Sequence, residues 1–178
     1  FKKMLGYETL KDEKGDEMHK SKGNAIWFDD VVQEVGADPI RLLYCLQDPS
    51  QELRFGFNVL KEPKNNLNIL FNMSKLIIKS GNKKTAYTVE DRWIISRFNS
   101  LIKKVGEDFE GLHPHFVTRS LQDFWLNDLS RKYIQFVRDR INENEETTQK
   151  ILERIYVNLL KICAPVIPFL TDNIWQSL

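Results

Sequence analysis

Thr88-Val89-Glu90-Asp91-Arg92-Trp93-Ile94-Ile95-Ser96-Arg97-Phe98-Asn99 is the stretch on which the fold turns. Thr88 is a helix-capping residue, and Asp91 three positions on is a shorter stand-in for the Glu that completes a capping box. Ile94, Phe98, Leu101, Ile102, Val105 and Phe109 then recur at three- and four-residue steps, the single stripe of an amphipathic helix. Gly111 and Pro114 end it. Downstream, a long helix is expected from about Phe116 to Ile141, with Leu126, Leu129, Tyr133, Val137 and Ile141 on its apolar face. A polar run over 142–148 leads to a helix at about 149–163 carrying Leu152, Ile155, Tyr156, Leu159 and Cys163. Pro165 stops that helix, and Pro168 opens a turn toward Phe169-Leu170 and Ile174-Trp175. Amphipathic helices joined by short links predict an antiparallel bundle.

Upstream, Leu67, Leu70, Phe71, Ser74, Ile77 and Ile78 predict a helix between Asn58 and Lys79, with Pro63 in or near its first turn. Leu53-Arg54-Phe55-Gly56-Phe57-Asn58 reads as extended or turning. Asp38-Pro39 is a start signal for a helix over Ile40–Leu46, and Asp29 or Asp30 should cap a shorter one that Gly36 stops. Met4–Leu10 reads as the end of a strand. Ser80-Gly81-Asn82-Lys83-Lys84 breaks the pattern, which divides the chain into 1–80 and 81–178. The fold class expected is mainly α, a small α-rich module followed by an antiparallel helix bundle.

Bulk numbers bound the function. The 178 residues suffice for one ordinary domain or two small ones, and 42% hydrophobic with 29% charged residues describes a globular chain. A net charge of +1 gives no global pull toward nucleic acid or membrane, so any such contact needs a local patch. No apolar run approaches the roughly 18–20 residues that span a bilayer. Cys45 and Cys163 read as buried thiols of a reducing cytosol, and His113-Pro114-His115 lacks the further ligands of a metal site, so no metal residues are expected. Phe1-Lys2-Lys3-Met4-Leu5-Gly6 is no signal peptide and opens as if cut from a longer protein.

The chemistry is concentrated in Met18-His19-Lys20-Ser21-Lys22-Gly23-Asn24, which follows the acidic, Gly-containing run Asp12-Glu13-Lys14-Gly15-Asp16-Glu17. Lys20 and Lys22 carry point charges on flexible stems, Ser21 can donate to a phosphate oxygen, and Gly23 permits backbone geometry closed to other residues. A lysine brought to a departing pyrophosphate stabilises the transition state more than the ground state. On composition alone, a solvated surface loop explains the same residues.

This stretch resembles the Lys-Met-Ser-Lys-Ser signature of class I aminoacyl-tRNA synthetases, with Met18, Lys20 and Ser21 matching and Gly23-Asn24 continuing the match. Glu17 stands where the signature has its first lysine, and His19 where it has its first serine. Gly36-Ala37-Asp38 with Arg41 resembles the segment the family carries after the loop. Leu53-Arg54-Phe55-Gly56 resembles the isoleucine branch in particular. Asp91-Arg92-Trp93-Ile94 with Ser96-Arg97 and Asn99 looks like the entry to the anticodon-binding helical domain. Asn127-Asp128-Leu129-Ser130-Arg131 with Tyr133, and Ala164-Pro165-Val166-Ile167-Pro168-Phe169, look like its later parts.

The resemblance implies a cytoplasmic ligase that activates isoleucine with ATP and Mg2+ to the aminoacyl-adenylate and passes it to isoleucine-specific tRNA, without a membrane. It implies Lys20 as the catalytic residue and Met18, His19, Lys20, Ser21, Gly23 and Asn24 as the ATP-binding loop. Lys22 falls at the variable position and either helps or is merely exposed. Glu17 should repel phosphate unless it points away or pairs with Lys14 or Lys20. The family's other signature, a His-Ile-Gly-His motif, is not in this sequence, and amino-acid recognition would lie upstream, so the chain alone is expected to be inactive.

For RNA, the local basic surface is Arg131, Lys132, Arg138 and Arg140 near Tyr133 and Phe136, with Arg92, Arg97 and Asn99 as a second group. By residue type alone, these charges form a solvated face with i,i+4 pairs to Asp128 and Asp139; the resemblance makes Arg92, Arg97, Asn99, Arg131, Lys132 and Arg138 tRNA contacts. Lys75, Lys79, Lys83 and Lys84 could approach the acceptor side. The alternatives are a valine or leucine enzyme of the same class, and a non-catalytic helical RNA-binding or scaffold module.

Overall fold

The structure is a computed structural model that describes residues 2–77 and 86–178, and it is mainly α. The predicted break at 80–84, together with Ile78, Lys79, Lys83 and Lys84, lies outside the described residues. The N-terminal module is closed by two short strands, β1 (Leu10–Lys11) and β2 (Leu53–Arg54). They pair in parallel with Leu10 opposite Leu53 and Lys11 opposite Arg54. The signature loop, α1 (Phe28–Val35) and α2 (Ala37–Leu46) all lie between them.

Two capping expectations are corrected. Trp27, in extended geometry, precedes α1, and Asp29 and Asp30 sit inside its first turn, where their charge suits the helix dipole without a capping bond. Asp38 also lies inside the first turn of α2, whose cap position is Gly36 at φ 88°. Its Oδ2 instead accepts the Leu170 N–H at 2.6 Å, so it serves a helix start 132 residues away. Helix α3 (Lys61–Ser74) carries Pro63 in its first turn, as the spacing predicted.

In the bundle, the Thr88–Asp91 box forms in full at the start of α4 (Val89–Glu110): Asp91 N–H donates to Thr88 Oγ1 and Thr88 N–H to Asp91 Oδ2 at 3.0 Å. The expected single helix over 116–141 is more varied. It begins as α5 (Pro114–Asp123) and widens to a π-helical stretch over Phe124–Tyr133. It returns to α6 (Ile134–Phe136), breaks at Val137 and resumes as α7 (Arg138–Asn142). The wide turns carry Phe124, Trp125, Leu126, Asp128, Leu129 and Tyr133, all buried. Helices α8 (Glu146–Cys163) and α9 (Pro168–Ser177) complete the described chain.

One apolar core runs through both halves. Leu42, Leu67, Leu70 and Met73 pack in the same cluster as Ile94, Phe98, Leu121, Trp125, Tyr156 and Leu159. A smaller cluster, Val31, Ile40, Phe55 and Leu60, takes Leu10, Met18 and Ile26 against it. Polar ties follow the same seam. Arg41 donates from Nε to Val166 O and from Nη2 to Pro165 O, both at 2.9 Å, and Tyr156 Oη donates to Leu70 O at 2.6 Å. Two segments singled out separately in the sequence, Gly36–Arg41 and Ala164–Phe169, thus meet in space.

Candidate functional site

The signature loop hangs from a turn built by the acidic run before it. Asp12 Oδ1 accepts the N–H groups of Lys14 at 3.0 Å and Asp16 at 2.9 Å, and Asp12 N–H donates to Asp16 O at 2.8 Å. Gly15 supplies the positive φ of 95° that closes this turn. Glu13 turns the other way. Its two carboxylate oxygens accept the Asn58 N–H at 2.7 Å and Nδ2 at 2.9 Å. Its side chain lies across Gly56, where any Cβ would collide with it, and this accounts for the glycine in Leu53-Arg54-Phe55-Gly56. The Asn24 amide first, and the Asp16 N–H after it, hold the Asp12 carboxyl below the usual carboxylate range; the Asn58 side chain and N–H do the same for Glu13.

Asn24 stitches the loop shut at its base. Its Nδ2 donates to Asp12 Oδ2 at 3.0 Å and to Glu17 O at 3.1 Å, while its Oδ1 accepts the His19 N–H at 2.9 Å. Met18 is turned inward against the smaller apolar cluster. Between these anchors Lys20–Lys22 make one tight turn, closed by Gly23 at φ 71° with its N–H on Lys20 O. Lys20, Ser21, Lys22 and Gly23 are exposed. Lys20 Nζ lies 4.5 Å from the centroid of the Trp27 ring, an exposed cation–π contact. Glu17 pairs with neither Lys14 nor Lys20; its Oε2 lies 3.2 Å from His19 Nε2. The two departures from the signature therefore answer each other, and among the described residues Lys20 is paired with no carboxylate.

The second group of expected residues lies on the bundle. Asp128, almost fully buried, accepts Arg97 Nε at 2.8 Å and Nη2 at 2.6 Å on one oxygen and Lys132 Nζ at 3.1 Å on the other. Two cations on one carboxylate leave a net positive charge at this place. Lys132 Nζ also lies 6.0 Å from the Trp93 ring, which meets the exposed Phe136 edge-on at 6.4 Å. Arg131 is exposed and donates to the neutral Asn127 Oδ1 at 2.9 Å. Arg92 reaches the Tyr87 carbonyl at 2.7 Å, Asn99 is exposed beside Ser96 and Lys103 in a shallow groove, and Arg138 is exposed beyond the Val137 break.

Arg140 is the correction in this group. It faces inward, bonding both oxygens of the fully buried Asp91, the Thr88 hydroxyl and Glu145, so it belongs to the frame rather than to a basic surface. Sequence reasoning also missed Asp12 and Trp27. The Asp-x-x-Gly spacing of a side-chain-closed turn was the available signal for Asp12; Trp27 had none. Among the described residues, no three His, Cys, Asp or Glu side chains gather as they would around a metal ion, and no helix is long and apolar enough to cross a membrane.

Comparison with known proteins bears on both regions. Residues 1–56 match the family of class I tRNA synthetases (I, L, M and V), and residues 91–178 match the anticodon-binding domain of tRNA ligase. An isoleucine–tRNA ligase of Methanothrix thermoacetophila is 38% identical over all of this chain, and one of Thermococcus kodakarensis is 35% identical over 98% of it. The chain spans 19% and 18% of the length of these relatives. A methionyl-tRNA synthetase of Mycobacterium tuberculosis, solved with methionyl-adenylate, superposes with a TM-score of 0.75 at 16% identity, over 93% of this chain and 36% of its own. An Agrobacterium radiobacter LeuRS, solved with tRNA and LeuAMS, gives 0.69 at 18% identity over 97% and 21%. At these identities the two structures speak for the fold.

Proposed function

The chain belongs to the class I tRNA synthetases, and from that premise we propose that it is part of an isoleucine–tRNA ligase. In the whole enzyme the isoleucine carboxylate attacks the α-phosphorus of ATP, taken as its Mg2+ complex, to form the aminoacyl-adenylate and release pyrophosphate. A terminal tRNA hydroxyl then attacks the activated carbonyl, and AMP leaves. In this reading residues 1–80 supply the signature loop and a helical module, and 81–178 supply the anticodon-binding bundle. The enzyme works in the cytoplasm, which suits two unpaired thiols, Cys45 and Cys163.

The observation that carries the proposal is the loop: a base fixed by Asn24 and Met18, and an exposed tip presenting Lys20 and Ser21 with, among the described residues, no carboxylate on the lysine. Lys20 meets negative charge growing on the departing pyrophosphate, Ser21 donates to a phosphate oxygen, and Gly23 lets the backbone approach. The test is chemical. In the full-length ligase, ATP should protect Lys20 from acylation by an amine-reactive reagent, read by peptide mass mapping. Equal modification with and without ATP would reject the role.

On the bundle, Arg92, Arg97, Asn99, Arg131, Lys132 and Arg138 are proposed as tRNA contacts. Supporting this, Arg131 is bonded to a neutral amide, and the Arg97–Asp128–Lys132 group is net positive beside the exposed Phe136, a surface on which an unstacked base can rest. Replacing Arg131 and Arg138 together by Ala should weaken tRNA binding and lower the slope of log affinity against log salt by about one for each phosphate that is no longer neutralised. An unchanged slope would remove these two residues from the interface.

A further inference from the structure

We propose that Asp12 is a positioning residue for the adenylation step, acting on Lys20 through Asn24. This rests on the assignment of Lys20 to the ATP phosphates and adds a residue outside the signature. Asp12 sits where three things meet. One oxygen closes the turn that precedes the loop, by accepting the Lys14 and Asp16 N–H groups. The other holds the Asn24 amide at 3.0 Å. That amide also reaches Glu17 O at 3.1 Å, and its carbonyl oxygen takes the His19 N–H at 2.9 Å. The residues on either side of Met18, at the start of the loop, are therefore tied to its last residue through one side chain, and that side chain is oriented by Asp12.

Beyond this staple the tip is lightly held. Among the described residues, the Lys20 side chain has only its contact with Trp27, and the Ser21 and Lys22 side chains show no hydrogen bond or ion pair. A fixed base and a free tip are what a loop needs to carry one ammonium group back and forth over a short, repeatable path. The anchor matters because catalysis by a positioned charge falls steeply with misplacement, by about 100-fold for an error of about 1 Å. Asp12 itself lies among polar backbone groups and is committed to three N–H donors, which assigns it to holding the loop rather than to touching substrate.

The experiment is a mutant cycle in the full-length ligase, read by isoleucine-dependent pyrophosphate exchange. Asp12→Ala should lower kcat about 10- to 100-fold with the KM for isoleucine unchanged. Asp12→Asn keeps the two turn bonds but sets one amide donor against another at Asn24, so it should be as slow while folding normally. Asp12→Asn with Asn24→Asp restores a donor–acceptor pair and should recover part of the loss. In a Lys20→Ala background, Asp12→Asn should cost nothing further, because the charge it positions is gone. An Asp12→Asn enzyme as fast as the unaltered one, or one slowed by the same factor with and without Lys20, would overturn the proposal while leaving the role of Lys20 intact. A Lys20→Ala enzyme of undiminished rate would sink both.

Discussion

Arg140→Ala should destabilise the chain by about 3–5 kcal/mol, the cost of removing one partner from a buried ion pair. Asp91 has no solvent exposure, and Arg140 neutralises it from Nη1 and Nη2, at 3.1 and 2.9 Å from the two carboxylate oxygens. Without the guanidinium, a buried carboxylate keeps, among the described residues, the Thr88 N–H and the Tyr133 hydroxyl, the latter at 2.8 Å. Glu145, which also accepts the Thr148 hydroxyl at the start of α8, is left without its arginine, and α4, α7 and α8 come untied at one point. The midpoint of urea unfolding measures the loss. Arg131→Ala, which removes an exposed arginine bonded to a neutral amide, should stay within about 0.5 kcal/mol and serves as the control.

The same pair fixes the sign of the acid response. Burial pushes the Asp91 carboxyl up, but Arg140, the Thr88 N–H and the Tyr133 hydroxyl outweigh it and hold the group below the usual carboxylate range. Its stabilisation is complete above that range and is lost as pH falls through the lowered folded value. In the Arg140→Ala chain the guanidinium that lowers the folded value is gone, so this acid-sensitive contribution is already missing at neutral pH, and the stability gap between the two chains should narrow as pH falls. A gap of the same size at neutral and at acid pH would contradict the assignment of Arg140 as the counter-charge.

Lys20→Ala should slow isoleucine-dependent pyrophosphate exchange by the full-length ligase about 100- to 1,000-fold, the usual effect of removing one group aimed at developing charge. Affinity for tRNA should hardly change, since the loop tip and the bundle surface are different parts of the chain. Lys22→Ala is the sharp comparison. Lys22 carries the same charge two residues on, at the end of the same turn, but among the described residues has no counterpart of the Trp27 seat that holds Lys20. A loop acting by charge alone would make the two substitutions equal; a positioned ammonium makes Lys20 dominate by at least about tenfold. Equal losses would mean the loop is an unspecific positive patch.

What could be read in advance follows from the range of each interaction. The capping box at Thr88–Asp91 spans three residues and was legible, as were the stripe of α4 and the Pro-started turns. Asp91's second duty was not, because Tyr133 and Arg140 lie 42 and 49 residues away. Asp38 misled for the same reason: Asp before Pro is a good local cap, and the structure uses the carboxylate on α9 instead. The apolar spacing of 116–141 did not separate an α from a π turn, because both keep Leu126, Leu129 and Tyr133 on the inner side. In the loop, the residue types were visible. That Glu17 would turn to His19, and that Asp12 would reach Asn24, depended on a fold closed by two strands distant in sequence.

Arg41 and Asp38 have a thermodynamic consequence. Each satisfies backbone groups at an end of a bundle helix, and Leu42, Leu67 and Leu70 beside them share one core with Trp125 and Tyr156. Neither half can open without stripping apolar surface and helix termini from the other, so the described chain has the makings of a single cooperative unit. The free energy that keeps the bundle closed around Arg140 is then also the free energy that keeps the platform under the signature loop assembled. A lesion far from Lys20 would reach it by changing how often that platform exists at all, and an enzyme assay run near the melting range would record a stability defect as a catalytic one.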